Sequence, residues 1–539
     1  MIMQVSILFL ILNQILLFIY CISIENSKFN DNNLNKNDLI CNKPSDDNNY
    51  IIYSLSIDDN SPIGDVMPYF DYELNQLYIL YLKDIWNDFN HQRHPWYGLK
   101  TNNFYSYSLI NQDELLNSNT NECSQDYAIG TGSIIKKDNI YYAFYTGHNP
   151  NSPSYCIKTK EGIMLATSLN LNNKFIKDLN FKTIYPPIEK NFDEENNFRD
   201  PFVFYDINLK KYTLIISART TRGVIIYYTS YDLYNWLYQG ILYDGDSTYF
   251  YMMETPDLFQ INNIYYLIFS DIDTKNVYYR KSLSLYGPWE KPTEHLIDRF
   301  DAYGLYGAKV IRDNYNDYYI FGWTNQYENN NDYGQWKWGG NLIIHKLYQL
   351  EYSKDLAITI PHTIKNYFEI FNQPIIKHSQ WGIVQDLSTD ILSYSLSSLL
   401  NSEITNVLFN PINLIRYKIS TIISYTRSIK DFGFMINVCD GYNQFYSLRF
   451  IPSQHRFSFD KINRSSLTST TISTIDIQYK FIPNTDYIIH IIIENSMVIT
   501  YIDHKVALTA RIYNAGKNSW GIFADNSNVI FKNLTVTRP

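Results

Sequence analysis

The chain has 539 residues, which is enough for two or more domains with substantial cores. Its formal net charge is −9, with 45 Lys and Arg against 54 Asp and Glu. This balance argues against a nucleic-acid partner, because binding to a phosphate backbone needs a clustered basic surface.

The N-terminal stretch has the composition of a targeting segment. Residues 5–20 are nearly all apolar, so we predict a signal peptide over residues 1–22 and a secreted or endomembrane-lumen protein. After cleavage no membrane attachment is expected. An uncleaved anchor is the less favoured alternative, because no basic cluster flanks the stretch. Residues 23–50 are rich in Asn, Asp and Lys and predict a disordered arm.

The cysteines fit an oxidising compartment. Of the five, Cys21 leaves with the predicted signal peptide and four remain, an even number that is compatible with disulfides. Cys123 and Cys156 flank a predicted strand pair and are the preferred bridge. Asn463 and Asn533 begin Asn-x-Ser/Thr sequences, which predict glycosylation if the protein is secreted.

A hairpin-like unit recurs five times between residues 51 and 352, each time with a polar, turn-like pair before an aromatic strand. The aromatic strands are 75–81, 138–145, 209–215, 262–269 and 316–323. Short antiparallel strands at this spacing, without helical periodicity between them, predict an all-β fold with a five-bladed β-propeller over residues 51–352. An extended β-sandwich is the alternative, but it does not explain the regular return of the same hairpin.

The pattern changes after the fifth unit. Residues 353–380 contain two prolines and a mixed pattern, which predicts a linker. From residue 381 to 539 long alternating strands with hairpin punctuation predict a β-sandwich domain. We expect the chemistry to lie in the first domain, because the second has no comparable group of acids.

Three acidic residues occupy matching positions of the repeat. Asp65, Asp200 and Glu254 each stand near a proline at the start of the first strand of a unit. Because the innermost strands of propeller blades line one channel, these carboxylates are expected to meet in one pocket. The alternative is that they bond to local backbone as turn residues, which is common at strand ends. Two carboxyl groups and a third stabilising acid are what glycoside cleavage requires.

Other side chains suit a polyhydroxylated ligand. Arg199 precedes Asp200 and is expected to keep it ionised through a charge-assisted pair. Trp96, Tyr306 and Trp323 are candidates for stacking on sugar rings.

The sequence contains no motif for the other chemistries considered. The stretch Gly130-Thr131-Gly132 lacks the third glycine and the following helix of a phosphate-binding loop. The sequence has neither paired-His zinc spacing nor the Gly-x-Ser-x-Gly turn of serine hydrolases. We therefore expect no metal and no cofactor.

Short blocks along the chain carry a resemblance to a known family. They are Gly64-Asp65-Val66-Met67-Pro68, Thr131-Gly132-Ser133, Phe198-Arg199-Asp200-Pro201, Glu254-Thr255-Pro256-Asp257, Phe321-Gly322-Trp323 and Arg456-Phe457-Ser458-Phe459-Asp460. These blocks resemble glycoside hydrolase family 32, the β-fructofuranosidases. The resemblance implies a hydrolase that cleaves β-fructofuranosidic bonds of sucrose, levan or inulin with retention, through a covalent fructosyl-enzyme.

The resemblance also implies roles for individual residues. It makes Asp65 the nucleophile, Asp200 the stabiliser of the transition state and Glu254 the acid/base. Substrate binding is expected from Arg199, Trp96, Thr131, Gly132, Tyr306 and Trp323.

The motifs depart from the family pattern in ways that mark a divergent subgroup. Gly-Asp-Val-Met-Pro replaces Asn-Asp-Pro-Asn-Gly around the nucleophile, and Thr255 replaces a cysteine after the acid/base. We expect the Thr255 hydroxyl to hydrogen-bond the Glu254 carboxyl. A carbohydrate-binding propeller protein without turnover is the rival hypothesis.

Overall fold

The computed structural model of the protein describes residues 62–83, 93–111, 113–187, 191–193, 196–293, 298–399, 404–439, 444–471, 475–513 and 517–539. The predicted signal peptide and disordered arm lie outside the described residues. Strands dominate the described chain, and the all-β prediction is confirmed. No helix among the described residues is long and apolar enough to cross a membrane.

The N-terminal strands of the described chain form five successive groups. The first is β1 (Ile63–Asp71), β2 (Gln76–Lys83), β3 (Trp96–Thr101) and β4 (Ser108–Leu109). The second is β5 (Ala128–Lys137), β6 (Ile140–His148), β7 (Glu161–Ser168) and β8 (Ile176–Lys177). The third is β9 (Phe198–Asp206), β10 (Lys211–Arg219), β11 (Gly223–Ser230) and β12 (Leu237–Tyr243). The fourth is β13 (Met253–Ile261), β14 (Ile264–Asp271) and β15 (Val277–Ser282), and the fifth is β16 (Tyr306–Arg312), β17 (Tyr318–Tyr327), β18 (Trp336–Gln349) and β19 (Leu356–Thr359).

The first two strands of every group form the antiparallel hairpin that the sequence predicts. Their turns explain why a polar pair recurs. Asn75, Asn139, Asn262 and Asn316 have φ values of 50°, 62°, 54° and 64°. Asparagine tolerates this left-handed region better than most residues, because its side chain can bond to the local backbone. The recurring signal in the sequence is therefore a turn requirement.

The groups are arranged so that their first strands meet. β1 contacts β5, β5 contacts β9, β9 contacts β13, β13 contacts β16, and β16 contacts β1. Hydrogen bonding also joins the fifth group to the first, through Gly340 of β18 and Ile63 of β1. Equivalent positions of these strands, though distant in sequence, therefore lie near one another.

The C-terminal part of the described chain forms a 13-stranded sheet in which the two longest strands, β25 and β32, pair along most of their length. Its strands are β20 (Phe371–Gln373), β21 (Lys377–Trp381), β22 (Ile383–Asp386), β23 (Leu392–Ser397), β24 (Thr405–Phe409), β25 (Arg416–Val438), β26 (Tyr446–Ile451), β27 (Arg456–Asp460), β28 (Ile475–Gln478), β29 (Tyr487–Glu494), β30 (Met497–Ile502), β31 (Val506–Arg511) and β32 (Ser519–Arg538). Short 3-10 helices occur at Glu328–Asn330, Pro452–Gln454 and Arg464–Ser466.

The predicted linker is not irregular. Residues 353–380 contain β19, the helix α1 (His362–Tyr367), β20 and most of β21. The prolines that suggested a linker stand at the edges of these elements, since Pro361 precedes α1 and Pro374 follows β20. β19 pairs with β18, whereas β20 pairs with β32. The change from one set of sheets to the other therefore falls at α1, and the division into two domains stays a prediction.

The two sets of strands share a hydrophobic core. Ile499 and Tyr501 of β30 belong to the same buried cluster as Ile268 and Ile343 from the fourth and fifth groups. Elsewhere, Cys123 and Cys156 form the predicted disulfide, with Cα atoms 5.6 Å apart. This bridge ties the segment before β5 to the segment before β7.

Candidate active site

The first strand of every group is broken by a β-bulge near its N-terminal end. The shifts in pairing fall at Gly64–Val66, Ile129–Gly132, Arg199–Phe202, Glu254–Asp257 and Tyr306–Lys309. Residues in the left-handed region stand at four of these described bulges: Asp65 (φ 27°), Asp200 (φ 60°), Thr255 (φ 48°) and Gly307 (φ 59°). Such a conformation costs about 1–3 kcal/mol at a non-glycine residue and is concentrated at functional sites. A bulge also re-aims the side chains around it.

The bulges bring Asp65, Asp200 and Glu254 into electrostatic contact. Asp200 is 3% exposed, while Asp65 and Glu254 are partly exposed. Burial raises the pKa of Asp65, and the charge of Glu254 raises it further. Burial raises the pKa of Asp200 to about 7, with contributions from Glu254 and Asp65. Carboxyl groups collected at such a cost are typical of a functional site.

Asp65 is held by two neutral donors. The Thr131 hydroxyl donates to Oδ2 at 2.7 Å, and Trp323 Nε1 donates to Oδ1 at 2.9 Å. Both bonds favour the ionised carboxylate and act to lower its pKa. A Cβ at Gly307 would lie 2.7 Å from Asp65 Oδ1, so only glycine leaves room for this carboxylate.

Asp200 is fixed by the neighbouring strands. Its backbone N–H donates to the Thr146 hydroxyl at 2.9 Å, and its Oδ2 accepts from the Thr255 N–H at 2.8 Å. The backbone strain at Thr255, a β-branched residue with positive φ, is thereby tied to holding this carboxylate. The position of Asp200 thus depends on β6 and β13 as well as on its own strand.

Glu254 accepts from two strong donors. Arg199 donates to Oε1 from Nε at 3.1 Å and from Nη2 at 2.7 Å. The Tyr306 hydroxyl donates to Oε2. Because donors occupy both oxygens, they orient the carboxyl group as well as attracting it.

Behind Arg199 lies a residue that the sequence reasoning missed. Glu161, which is 5% exposed, lies 3.3 Å from Arg199 Nη1 and accepts from the Phe198 N–H at 2.7 Å. His148 Nδ1 is 3.4 Å from the same carboxylate. Arg199 and these hydrogen bonds lower the pKa of Glu161 in spite of its burial. Glu161 starts the third strand of its group, so the repeat of the first strands contains no signal for it.

The structure corrects two predictions about polar partners. Arg199 makes no hydrogen bond to the Asp200 carboxylate and donates to Glu254 and Glu161 instead, although its charge lowers the pKa of Asp200 as predicted. The Thr255 hydroxyl bonds to Ser270 Oγ at 3.1 Å and not to Glu254.

The predicted stacking residues have other contacts. Trp96 is wrong as a substrate-binding residue, since it is 0% exposed, packs among Tyr145 and Phe175, and donates to the Gly130 carbonyl. Trp323 and Tyr306 are also buried, but both contact the acids through their polar atoms. Thr131 likewise bonds to Asp65.

Gly132 lies behind the site. Its N–H points to Met67 Sδ at 3.2 Å, and a Cβ there would lie 2.0 Å from the Phe144 carbonyl. Its role in the structure is close packing of β5 against β6.

An aromatic wall beside Asp65 was also missed. The Trp338 ring covers Gly64, where a Cβ would lie 2.3 Å from it, and stands 5.9 Å from the Trp323 ring. His94 lies 4.5 Å from Trp338, and burial lowers its pKa to about 4. His94 is therefore neutral near pH 7.

A second pair of charged residues lies on the far side of the acids. Lys309 and Asp257 are 2% and 1% exposed and line a cavity of about 1070 Å³. The cavity is formed by the C-terminal halves of the same five strands. Asp65, Asp200 and Glu254 do not line it. Among the described residues, no group of three or more His, Cys, Asp or Glu could hold a metal ion.

An all-β fold with three carboxylates gathered on bulged strands defines a class of sugar-cleaving proteins, and comparison with known families agrees. Residues 71–359 match the glycosyl hydrolases family 32 N-terminal domain. The chain belongs to this family. Arg199, Asp200 and Glu254 lie within the matched residues, and Asp65 lies just before them.

Individual relatives are distant. A sucrose-6-phosphate hydrolase of Vibrio alginolyticus is 24% identical over 201 residues, which are 34% of this chain and 36% of that protein. The matched stretch thus spans about a third of that relative.

Three solved structures cover nearly the whole chain. The beta-fructofuranosidase of Bombyx mori is 16% identical, with 90% of this chain and 93% of that chain covered and a TM-score of 0.63. The sucrose-6-phosphate hydrolase of Lactobacillus gasseri is 16% identical, with 91% of this chain and 93% of that chain covered and a TM-score of 0.65. Fructan 1-exohydrolase IIa of Cichorium intybus is 14% identical, with 90% of this chain and 96% of that chain covered and a TM-score of 0.67. These likenesses show the fold.

Proposed function

We propose that the protein is a retaining glycoside hydrolase that cleaves β-fructofuranosidic bonds of sucrose or of fructans such as levan and inulin. The observation that carries the proposal is the meeting of Asp65, Asp200 and Glu254 on bulged first strands, each in a different environment. Membership of glycosyl hydrolase family 32 and the activities for which the relatives are named support the choice of fructosides.

We also propose that the five strand groups are the blades of a propeller and that the C-terminal sheet is a β-sandwich. The cyclic contacts of β1, β5, β9, β13 and β16 support the propeller, because only a ring of blades returns the fifth first strand to the first. The acids then stand at one end of the central channel and the cavity at Lys309 occupies the other.

In the first step Asp65 is the nucleophile. A carboxylate oxygen of Asp65 bonds to the anomeric carbon, the bond from that carbon to the leaving oxygen breaks, and Glu254 gives its proton to that oxygen. Thr131 and Trp323 hold Asp65 with neutral donors, which orient it without consuming its charge. Partial exposure of Asp65 and Glu254 leaves both within reach of a substrate.

In the second step water completes the reaction. Glu254 takes a proton from a water, whose oxygen bonds to the anomeric carbon as the ester bond to Asp65 breaks, and the anomeric configuration is retained. Arg199 and Tyr306 hold Glu254 in place for both proton transfers. Asp200 is buried next to both groups, where a negative charge stabilises the oxocarbenium-like transition state.

A release assay with sucrose, levan and inulin tests the proposal. We expect fructose from at least one of them, and transfer to added methanol should give methyl β-fructoside as the first product. An α-configured first product would contradict the covalent intermediate. Binding of these sugars without release would favour the rival, a carbohydrate-binding protein without turnover.

We infer in addition that the protein works in an oxidising compartment, either outside the cell or in the endomembrane lumen. The Cys123–Cys156 disulfide supports this, and the Asn463 and Asn533 acceptors are both exposed. Enzymatic removal of N-glycans should shift the mass of the native protein, and an unshifted mass would argue against passage through that pathway.

A further inference from the structure

We propose that Lys309 is a positioning residue for the reaction, a buried ammonium that holds Asp65 and Asp200 in their charged arrangement from the far side of the site. This inference rests on the proposed function, because it assigns Lys309 a part in the same reaction. No motif in the sequence had singled out this residue.

The geometry places the ammonium beneath the acids. Lys309 lies two residues after Gly307, where a Cβ would lie 2.7 Å from Asp65 Oδ1, so β16 carries both positions. Its Nζ donates to the Pro256 carbonyl at 3.2 Å. Pro256 lies between Thr255, which binds Asp200, and Asp257. The side chain also passes over the Phe202 ring at 5.3 Å, two residues after Asp200. Lys309 therefore crosses the channel from β16 to β13 and β9.

The charges around Lys309 explain why a buried lysine is tolerated. Burial lowers the pKa of Lys309, while the charges of Asp257, Asp200 and Asp65 oppose this and stabilise its ammonium. Asp257 accepts from the Val310 N–H at 2.7 Å through Oδ2, and the Leu258 backbone N–H also favours its ionised form. Burial raises the pKa of Asp257 to about 6, with Lys309 opposing. Asp257 is therefore one of three carboxyl groups that offset the charge of Lys309.

The effect on the acids has a definite sign. Lys309 lowers the pKa of Asp65, whereas burial and Glu254 raise it. Asp200 faces Lys309, Arg199, Glu254 and Asp65. Without the ammonium, the pKa of both carboxyl groups should rise, because an opposite charge favours the ionised form. The acidic limb of the rate profile should then move to higher pH.

The cavity behind Lys309 makes the test sharper. It has a volume of about 1070 Å³ and is lined by Lys309 and Asp257, so a small cation can reach the ammonium position without crossing the active site. In Lys309→Ala the truncated side chain leaves space for methylammonium or ethylammonium. In Lys309→Met that space stays filled.

The experiment compares kcat/KM against pH for the wild type, K309A, K309M and the control Lys418→Ala. Lys418 is 1% exposed and lies in the C-terminal sheet, so its truncation removes an equally buried lysine away from the acids. We expect the acidic limb to move up by about one pH unit in K309A and K309M. Ethylammonium should restore K309A by at least about tenfold and leave K309M and K418A unchanged. An unshifted limb in both Lys309 variants would overturn the proposal, as would equal rescue of K309M.

A second readout does not need activity. Raised carboxyl pKa values in folded K309A mean that its stability, relative to the wild type, falls as pH rises from 5 to 8. The unfolding midpoint of K309A should therefore drop more at pH 8 than at pH 5, and that of K418A by the same amount at both. A wild type that releases no fructose would defeat the proposed function alone. A pH-independent loss of stability in K309A would defeat the role of Lys309.

Discussion

Two clusters of buried charged residues in this protein differ in whether their acids are matched by cations. In the C-terminal sheet, Asp431, Asp460 and Asp525 meet Arg449, Arg464 and Lys430, so each acid has its cation. At the bulges, Asp65, Asp200, Glu254, Glu161 and Asp257 share Arg199 and Lys309, with His148 beside Glu161. The second cluster carries negative charge that its cations do not balance.

The difference separates a structural network from a reactive one. A buried carboxylate that is fully paired is inert, and its removal leaves the opposite charge stranded. Unbalanced carboxylates raise one another's pKa, as they do for Asp65 and Asp200, and this is the state in which protons and nucleophiles can be exchanged near neutral pH. The strained backbone at Asp65, Asp200 and Thr255 adds to the cost of that arrangement.

Removing the nucleophile should have the largest effect of any substitution. For Asp65→Asn we expect kcat/KM for fructose release to fall by at least about 10⁴-fold, because the covalent step is lost. The unfolding midpoint at pH 8 should not fall, since the substitution relieves repulsion with Glu254. A midpoint that falls together with activity would show that Asp65 is a structural residue.

The matching substitution in the paired cluster should have the opposite result. Asp431→Asn leaves Arg449 and Arg464 buried without their shared anion, and we expect a loss of about 3–5 kcal/mol in the free energy of unfolding. Urea denaturation measures it. The kcat/KM of the folded fraction should match the wild type, and a change in its pH profile would contradict the separation of the two clusters.

Asp200→Asn should exchange activity for stability. We expect kcat to fall by about 10²–10³-fold with a smaller change in KM, because the charge acts mainly in the transition state. Folding raises the pKa of the Asp200 carboxyl group to about 7. The folded protein therefore becomes less stable as the pH rises from the pKa of the unfolded state toward 7. The variant should therefore gain about 2 kcal/mol in unfolding free energy at pH 8 and almost none at pH 4.

The pH profile of the same variant provides the check. In the wild type the acidic limb of kcat/KM should lie near pH 7, because burial raises the pKa of Asp200 to about 7. In Asp200→Asn we expect the residual activity to persist to lower pH. An unchanged limb and an unchanged stability curve would together contradict the buried, ionising role.

These residues also show what the sequence could predict. The hairpins followed from the polar pairs, because each turn needs a residue that tolerates positive φ, and the three acids followed from their equal places in the repeat. Cys123 and Cys156 followed from their positions around one strand pair.

The predictions that were wrong concerned the contacts of individual side chains. Arg199 was placed with Asp200 because the two are adjacent in the sequence, but neighbouring side chains of a strand point to opposite faces, and Arg199 hydrogen-bonds Glu254 and Glu161 instead. Glu161 and Lys309 lie on strands or positions without a repeated motif, and only the ring of contacts brings them to the acids. Trp96 was assigned by residue type alone, and the interior of a sheet needs such residues as much as a sugar site does.

Glu161→Gln should have a moderate effect that acts through Arg199. We expect kcat for sucrose to fall by about tenfold with little change in KM, because Arg199 loses one of its anions and Glu254 its fixed orientation. An aryl fructoside whose leaving group needs no proton should lose less, since it does not depend on Glu254 as an acid. Equal losses for both substrates would indicate a general structural defect.

Thr255→Cys should have the smallest effect, although Thr255 is directly bonded to Glu254 in the chain. The Thr255 hydroxyl bonds to Ser270, and the group that serves the site is its backbone N–H, which binds Asp200 and survives the substitution. We expect the pH profile of kcat/KM to stay within about 0.3 pH unit of the wild type, since no hydrogen bond to the Glu254 carboxyl is removed. Stability should change little, because cysteine lacks the second Cβ branch that makes φ 48° unfavourable and this offsets the lost bond to Ser270.

Ser270→Ala is the matched control, as it removes the same hydroxyl pair from the other side. A shift of a full pH unit in Thr255→Cys alone would mean that the side chain contacts Glu254 during the reaction, and would return residue 255 to the active site.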